Sequence, residues 1–393
     1  MDNRNVFVAI ALSMSVLLFW GAFFDTPPPT VTKKVQSSIG KEDNSLSQNQ
    51  ITPNINQEKI VTEVSRKDSL VKVDRVIIDN ENISGSVSLK GAIFDDISFK
   101  NYKKILGEEE KVVFLNPRET KDGYYIETGW TSIGNQVKVP TIDSLWKVKG
   151  NKILNANSSV TLEWDNNEGL IFKKKIELDE KFLFKINQEV INKTSKSVNL
   201  YPYAQITRNR KPDDVQGFYI LHEGFIGVFD GELKEDGYDD VEDKKISRTA
   251  DNGWLGITDK YWVTAIVPPK DTNFKSTFLY KDTFKANYIL NSPVEINPSS
   301  SSINEVRLFV AAKEVNSIDS YAESEKIEKF DLTIDWGWFY FFTKPLFFVI
   351  DYLFKISGNF GIAIVLVTLA IRIIFFPLAN YSFRSMAKMK ALQ

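Results

Sequence analysis

A run of almost entirely apolar residues near the C-terminal end, from Gly358 to Leu378, constrains this chain more than any other feature. A helix needs about 20 consecutive, mostly apolar residues to cross the hydrocarbon core of a bilayer, so this run predicts a transmembrane helix. One charged side chain, Arg372, interrupts the run. The rest of the chain must therefore be arranged around a helix that lies in lipid and carries a single cation.

Arg372 has two interpretations. An arginine at the bilayer centre costs about 2.5–3.5 kcal/mol on insertion scales, so such residues usually face a polar cavity or a substrate. Alternatively, Arg372 lies six residues before Leu378, about 9 Å along a helix, and its long side chain could reach the headgroups. No acidic residue in the run neutralises it, and Thr368, one turn earlier, is its polar neighbour. The residues alone leave both interpretations open.

Composition excludes several classes of function. The 393 residues carry a formal net charge of −2, no cysteine and one histidine, His222. Without a basic surplus, nucleic acid is not an expected partner. Disulfides, thiolate metal sites and paired-histidine sites are excluded, and the sequence has no glycine-rich phosphate loop. We therefore expect no catalytic residue, no metal and no cofactor, and we do not expect an enzyme.

A second apolar run covers residues 6–24 and predicts an N-terminal transmembrane anchor within residues 1–25. A cleaved signal peptide is the alternative, but the apolar core is long and ends without an Ala-x-Ala site. Residues 26–59 begin near three consecutive prolines and are rich in Ser, Asn, Gln and Lys. This composition cannot bury enough apolar surface to order the segment, so it predicts a disordered linker.

Residues 60–330 predict an all-β domain. Polar and apolar residues alternate in several short segments, separated by clusters of Asn, Asp and Gly: residues 86–89, 160–164, 175–178 and 185–187. Richer apolar runs, at residues 261–267 and 306–310, predict more deeply buried strands. Period-two strands joined by turn residues favour antiparallel sheets, and this length favours a large sandwich of long, curved sheets. The acidic cluster at residues 236–243 does not fit a calcium loop and is expected to be solvated.

Residues 335–357 predict an amphipathic helix at the membrane interface, because they open with a belt of aromatic residues. Thr343 is the expected cap, with Pro345 in the first turn. Apolar residues cover most of the helix, and its charged residues share one face: Lys344, Asp351 and Lys355. Such a helix lies in the interface with its apolar face in the lipid.

Residues 358–378 form the predicted second span, which Pro377 is expected to end or kink. Residues 379–393 are basic without an acid, through Arg384, Lys388 and Lys390, so this end is expected in the cytoplasm. Two spans then place the N-terminus in the cytoplasm and the β domain outside. The sequence ends in an uncapped helical pattern, which indicates a truncated chain.

Several motifs together resemble the YidC membrane protein insertases of Gram-negative bacteria. The resemblance covers the whole chain and is strongest in the last sixty residues or so: Asp335-Trp336-Gly337-Trp338, Lys344-Pro345-Leu346, Gly358-Asn359-Phe360-Gly361, Ile371-Arg372, Pro377-Leu378 and Ser385-Met386-Ala387-Lys388-Met389. The resemblance is also seen at Met1-Asp2 with Arg4-Asn5, at Tyr201-Pro202-Tyr203 and at Gly253-Trp254.

The resemblance implies a membrane-anchored all-β periplasmic domain, a β-supersandwich similar to sugar-epimerase folds, plus transmembrane α-helices. It implies a multi-pass protein of the bacterial inner membrane that acts as insertase and chaperone through a hydrophilic groove, with or without the Sec translocon. Arg372 matches the arginine of that groove, and Thr368 stands beside it, so both are expected to contact substrate. The implied partners are nascent membrane proteins, the lipid bilayer and the Sec translocon, with the ribosome reached only through missing cytoplasmic parts.

The resemblance makes residues 379–393 the truncated start of the family's cytoplasmic helical hairpin. The rest of that hairpin and the last spans are missing from the sequence, and two spans cannot enclose a groove. This departure keeps an alternative open, a membrane-tethered periplasmic β-sandwich that acts as a binding or scaffold protein without insertase activity. In that case Arg372 merely extends to the headgroups. A carbohydrate-active enzyme is a third hypothesis, but the paired histidines of the epimerases are absent.

Overall fold

The computed structural model describes residues 64–392, apart from residues 106, 136, 214, 216–220 and 338. The predicted anchor, residues 1–25, and the predicted linker, residues 26–59, lie outside the described residues.

The described residues form a β-rich domain followed by helices. The strands are β1 Arg75–Asp79, β2 Ile83–Ser88, β3 Ile93–Lys103, β4 Lys111–Leu115, β5 Tyr124–Thr131, β6 Lys147–Lys149, β7 Ile153–Leu154, β8 Val160–Asp165, β9 Leu170–Leu178, β10 Leu183–Asn192, β11 Val198–Arg208, β12 Gly224–Phe229, β13 Glu232–Gly237, β14 Ile246–Ala250, β15 Gly253–Thr258, β16 Trp262–Val267, β17 Phe274–Lys281, β18 Thr283–Leu290, β19 Val294–Ile296 and β20 Ser300–Ala312. The helices are α1 Arg66–Val71, α2 Tyr238–Asp243, α3 Val315–Ser324, α4 Tyr340–Ser357 and α5 Phe360–Leu392, with 3₁₀ turns at Ile133–Asn135 and Phe330–Thr333.

The strands form two sheets. The first has the order β14-β17-β18-β11-β5-β3-β2-β1-β7, with β19 paired to β11 and β4 paired to β3. The second has the order β13-β12-β15-β16-β20-β10-β9-β8-β6. Strand pairs are antiparallel except β1 with β7, which run parallel. The predicted all-β domain built from antiparallel sheets is therefore confirmed.

Alternation of the side chains explains why these segments pair as they do. In β9 and β10, buried residues alternate with partly exposed ones, and the two strands pair in register from Phe184↔Leu178 to Asn192↔Leu170. A slip of one residue would turn every apolar side chain of such a strand toward solvent, so the alternation fixes the register.

The hydrophobic core lies between the two sheets. Phe94 of β3 and Phe184 of β10 meet edge to face across it, with ring centroids 5.2 Å apart. At one end the core continues into the segment after β20, because Trp254 of β15 packs against Phe330 of the second 3₁₀ turn at 5.4 Å. Trp254 Nε1 also donates to the Glu328 carbonyl at 3.1 Å. The segment that leads to α4 is thereby held on the sandwich.

The helix bounds differ from the predicted ones at two prolines. Helix α4 begins at Tyr340, before Pro345, and Thr343 is not its N-cap. Proline lacks one backbone donor but is tolerated near the start of a helix, so Pro345 does not prevent α4 from beginning at Tyr340. Helix α5 continues through Pro377 to Leu392, so the predicted boundary at Leu378 is not a helix end. The residues after Pro377 include strong helix formers such as Ala, Met and Lys, which favour this continuation.

Candidate functional site

Helix α5 contains the segment Phe360–Lys390, which by length and composition could cross a membrane, and it is the one such helix among the described residues. Most of its apolar side chains are exposed, as expected of a helix whose surroundings are lipid. Ala363 and Val367, in contrast, are buried.

The two residues predicted to contact substrate lie on an exposed face of α5. Thr368 and Arg372 are four residues apart and therefore lie on the same face, about 6 Å apart along the axis. Arg372 is nine residues from the buried Ala363, which places the two residues about 180° apart around the helix. The structure thus brings the two predicted residues together on an exposed face of α5.

The polar atoms of these two residues differ in their partners. Thr368 Oγ1 donates to the Ile364 carbonyl at 2.8 Å, so its hydroxyl is satisfied within its own helix. Arg372 is exposed and forms no hydrogen bond or ion pair with any residue that the structure describes. Its charge is consequently available to a group from outside the described chain, and α4 and α5 alone do not surround it.

The connection between α4 and α5 is tight. Gly358 ends α4 in the left-handed region, with a φ of 65°, and its amide donates to the Phe354 carbonyl at 2.8 Å. Asn359 then caps α5, because its Oδ1 accepts from the Ile362 amide at 3.2 Å. The rings of Phe354 and Phe360 pack edge to face at 5.9 Å across the turn. These contacts fix where α5 begins relative to α4.

The start of α4 is bound to the sandwich by a cluster that we call the clamp, formed by Asp319, Asp331, Tyr340 and Lys344. Lys344 Nζ donates to Asp331 Oδ2 at 2.8 Å and to Asp319 Oδ1 at 2.9 Å. Tyr340 Oη donates to the same Asp331 oxygen at 3.1 Å. Since Asp319 lies in α3 and Asp331 in the second 3₁₀ turn, the clamp joins α4 to two elements of the β-rich domain.

Trp336 reinforces the clamp from the segment before α4. Its Nε1 donates to the Asp331 carbonyl at 3.2 Å, and its ring lies 5.7 Å from Lys344 Nζ and 5.7 Å from the ring of Phe347. Thr343 Oγ1 donates to the Trp336 carbonyl at 2.7 Å. The residue predicted as a helix cap therefore ties the first turn of α4 back to Trp336.

Partial burial makes the clamp electrostatically significant. The side chains of Lys344 and Asp331 are only 18% and 16% exposed. Partial burial acts to lower the pKa of Lys344, but the hydrogen bonds that it donates to Asp331 and Asp319 outweigh this effect and raise the pKa above its usual value. Partial burial and Asp331 also raise the pKa of Tyr340. Both groups stay protonated as donors around neutral pH.

The sequence predicts that Lys344, Asp351 and Lys355 share one charged face of the helix, but their side chains have different partners in the structure. Asp351 and Lys355 pair with each other at 2.7 Å along α4, whereas Lys344 turns to the sandwich. The clamp was missed because Asp319 and Asp331 lie 25 and 13 residues from Lys344. The sequence feature that could have indicated the clamp is a lysine within a run of aromatic residues.

Other polar residues singled out in the sequence are structural where the structure describes them. His222 donates its backbone amide to Asp335 Oδ2 at 3.0 Å, and its Nε2 lies 2.9 Å from the Phe225 carbonyl. The acidic cluster at residues 236–243 contains the end of β13 and α2, and Asp236 pairs with Arg248 at 2.8 Å. Within the described ranges, no group of three or more His, Cys, Asp or Glu residues could hold a metal ion.

Two protein-family models match the chain. The YidC periplasmic domain matches residues 75–349, and the 60Kd inner membrane protein matches residues 352–393. The membrane protein insertase YidC of Pelagibacter ubique (strain HTCC1062) is 47% identical over 392 residues, which cover 100% of this chain and 69% of the relative. The membrane protein insertase YidC of Methylorubrum extorquens (strain PA1) is 40% identical over 424 residues, covering 100% of this chain and 68% of the relative.

A galactose mutarotase related enzyme from Lactobacillus acidophilus is a similar solved structure. It matches with a TM-score of 0.42 and 12% identity over 61% of this chain and 97% of its own. A match at this level says nothing about activity.

Proposed function

The chain belongs to the YidC family of membrane protein insertases, and on that basis we propose how its described residues serve insertion. Its function is to insert proteins into the bacterial inner membrane, with the β-sandwich in the periplasm and nascent membrane proteins as substrates. The alternative of a scaffold without insertase activity is not favoured, because the relatives carry the insertase name over the whole chain.

Arg372 is the residue that attracts the polar segment of a substrate. The observation that supports this role is a cation on an apolar helix, exposed and without a partner among the described residues. An unpaired polar group in hydrocarbon costs several kcal/mol, so a polar tail crosses the membrane faster when a fixed charge lies partway along its path. Acidic tails gain most, since their attraction to the guanidinium is strong where water is scarce.

Thr368 extends the same face by one turn. Its hydroxyl hydrogen is used by the Ile364 carbonyl, but the oxygen can still accept a hydrogen bond from a passing backbone amide. The apolar helix of the substrate then moves sideways into lipid, driven by burial of its apolar surface. No covalent step is needed, so the protein acts without a cofactor and is not an enzyme.

The proposed topology is multi-pass, with the predicted N-terminal span of residues 1–25 and the span in α5. The basic residues after the apolar run, Arg384, Lys388 and Lys390, support a cytoplasmic location for that end. Partnership with the Sec translocon, and with the ribosome through cytoplasmic parts, rests on the family resemblance alone.

The test is replacement of Arg372 in the protein expressed from its native gene, in cells depleted of their own insertase. We expect Arg372→Gln to reduce insertion of a client with an acidic tail, measured by protease protection of that tail, while Arg372→Lys retains most of it. Arg384→Gln is the matched control, because it removes one positive charge from the same helix outside the apolar run. Equal insertion by the Arg372→Gln and Arg384→Gln variants, at equal protein levels, would show that Arg372 only extends to the headgroups.

A further inference from the structure

A cavity of 430 Å³ lies where the sandwich meets the segment that leads to α4. We call it the lysine–aromatic cavity, after the six residues that characterise its lining: Tyr102, Tyr261, Trp262, Lys103, Lys260 and Lys313. Ile334 and Asp335 line its other side. The cavity is thus lined by three aromatic rings, three lysines and one aspartate.

Two of the lysines have no carboxylate within ion-pair distance among the described residues. Among the described residues, neither Lys260 nor Lys313 forms an ion pair or donates a side-chain hydrogen bond. Lys103, in contrast, pairs with Glu109 at 2.9 Å, and the carboxylate of Asp335 accepts from the His222 and Gly337 amides. The ammonium groups of the cavity that form no ion pair with a described residue are therefore those of Lys260 and Lys313.

Burial of Lys313 makes the lack of a partner costly. Burial lowers the pKa of Lys313 to about 8, although the carboxylates of Asp259, Asp335, Glu223 and Glu235 act in the opposite direction. The side chain is still largely protonated at neutral pH. A half-buried ammonium gains by binding an anion that enters the cavity.

The aromatic residues provide an apolar contact at the mouth of the cavity. Tyr261 is 59% exposed at the turn between β15 and β16, and Lys260 Nζ lies 5.2 Å from the centroid of its ring. Trp262 is held from behind by Phe99, stacked at 4.6 Å. An exposed tyrosine beside a lysine and a tryptophan is the combination that anchors proteins at the headgroup level of a bilayer.

The cavity lies close to the membrane-proximal helix. Tyr102 Oη donates to Glu314 at 2.7 Å, and Glu314 is the N-cap of α3. Asp319, five residues further along α3, holds Lys344 of α4. Five residues of helix rise about 8 Å, so the wall of the cavity and the attachment of α4 are close neighbours. The exposed apolar residues of α4 place this region at the bilayer surface: Phe341, Phe342, Val349, Tyr352 and Ile356.

From this geometry we propose that the lysine–aromatic cavity binds the headgroup of an anionic phospholipid in the periplasmic leaflet. The phosphodiester lies between Lys260 and Lys313, and the glycerol backbone and first acyl carbons lie against Tyr261 and Trp262. The clamp holds α4 in the interface and the bound lipid holds the sandwich down on the same surface. These two attachments, the clamp and the bound lipid, fix the height of the sandwich above the membrane.

The test uses the full chain in nanodiscs that contain equal amounts of phosphatidylglycerol and phosphatidylcholine. After release into the gas phase, native mass spectrometry counts which lipid each chain retains. We expect a preference for phosphatidylglycerol that Lys313→Gln and Lys260→Gln each reduce about fivefold, the effect of one lysine near an anionic surface. Lys196→Gln, at the exposed turn between β10 and β11, makes the same change of charge elsewhere and should leave the preference unaltered.

Three results would overturn the proposal. Lys260 lies on an exposed turn, so Lys260→Gln cannot unfold the sandwich. An unchanged preference for phosphatidylglycerol in that variant and in Lys313→Gln therefore excludes the cavity as the lipid site. Displacement of phosphatidylglycerol by glycerol phosphate, as readily as by a short-chain phosphatidylglycerol, would indicate a site for free phosphate. Displacement by a soluble peptide rich in Asp and Phe would indicate that the cavity binds a translocated segment of a client.

Discussion

Lys344 of α4 donates to Asp331 of the sandwich across 2.8 Å, and the same Asp331 oxygen accepts from Tyr340 one turn earlier. A lysine in a mostly apolar helix thus binds two acids of the β-rich domain. The membrane-proximal helix and the periplasmic domain are consequently attached by partly buried charges, in addition to the chain that joins them.

The first prediction concerns this attachment. Lys344→Met should remove hydrogen bonds to charged groups that contribute about 2 kcal/mol. The equilibrium constant for opening the first turn of α4 should therefore rise about 30-fold. The measurement is hydrogen–deuterium exchange at the amides of Phe342 and Thr343, both of which donate to the Phe339 carbonyl. The chain is held in nanodiscs during the exchange.

Lys355→Met is the matched control for the clamp. Lys355 pairs with Asp351 in the same helix, but its side chain is 62% exposed, so this ion pair should contribute well under 1 kcal/mol. If the two variants exchange at the same rate, the clamp does not hold the start of α4.

The second prediction concerns the core that supports the clamp. Phe309 of β20 is fully buried and packs against both Tyr321 of α3, at 4.9 Å, and Phe330, at 4.5 Å. Phe309→Ala should lower the free energy of unfolding by about 3–5 kcal/mol, because it leaves a cavity. It should also loosen α3 and the 3₁₀ turn that carries Asp331. Denaturant unfolding of the full chain measures the loss.

Ile303→Ala is the control on the same strand. Ile303 is 63% exposed, so its truncation should change the free energy of unfolding by less than about 0.5 kcal/mol. A loss of similar size in both variants would mean that β20 does not carry the core at Phe309.

The third prediction concerns pH. Lys174 of β9 is 2% exposed, and its Nζ donates to the Thr128 carbonyl at 2.6 Å. Burial lowers the pKa of Lys174 to about 7, although the nearby carboxylate of Glu127 acts to raise it. The unfolded lysine has a pKa of about 10.4. Between these values the unfolded chain holds a proton that the folded chain lacks, so stability rises with pH from about 7 to about 10.

Lys174→Met should remove this contribution, which is at most about 1.4 kcal/mol per pH unit. The measurement compares the free energy of unfolding of the variant and the unaltered chain at several pH values. Lys175→Met is the control, since Lys175 lies on the exposed face of β9 and pairs with Glu177 at 2.6 Å. A difference that stays constant with pH for Lys174→Met would contradict the assignment.

Much of the fold follows from local patterns in the sequence. Strands with one buried face, such as Leu170–Leu178, keep the period of two that predicts them. Strand Thr283–Leu290 has eight residues, all buried, and such a strand has no alternation to detect. The order of strands in the two sheets was not predictable either, because partners such as β5 and β11 are far apart in sequence.

The candidate site likewise has a part that the local sequence predicts and a part that it does not. Arg372 was found because a charge in an apolar run is expensive, which is a property of the local sequence. The clamp was not found, because Asp331 and Asp319 are unremarkable surface acids until α3 and the 3₁₀ turn bring them to Lys344. The roles of Arg372 and Thr368 in substrate contact remain predictions.

The fourth prediction concerns the pH dependence of lipid binding in the lysine–aromatic cavity. Since the pKa of Lys313 is lowered to about 8 by burial, against the carboxylates of Asp259, Asp335, Glu223 and Glu235, its charge is lost as pH rises above that value. The preference for phosphatidylglycerol should therefore fall between about pH 8 and pH 10, shifted upward to the extent that a bound phosphate stabilises the ammonium. Lipid retention by the full chain, equilibrated in nanodiscs at each pH before analysis, measures this.

The two lysine variants separate this cause from a general loss of surface charge. Lys260→Gln should show a weaker preference with the same dependence on pH, because Lys313 still titrates. Lys313→Gln should show a weak preference that does not change across the range. If Lys313→Gln retains the full dependence on pH, another group titrates at the membrane surface and Lys313 does not hold the phosphate.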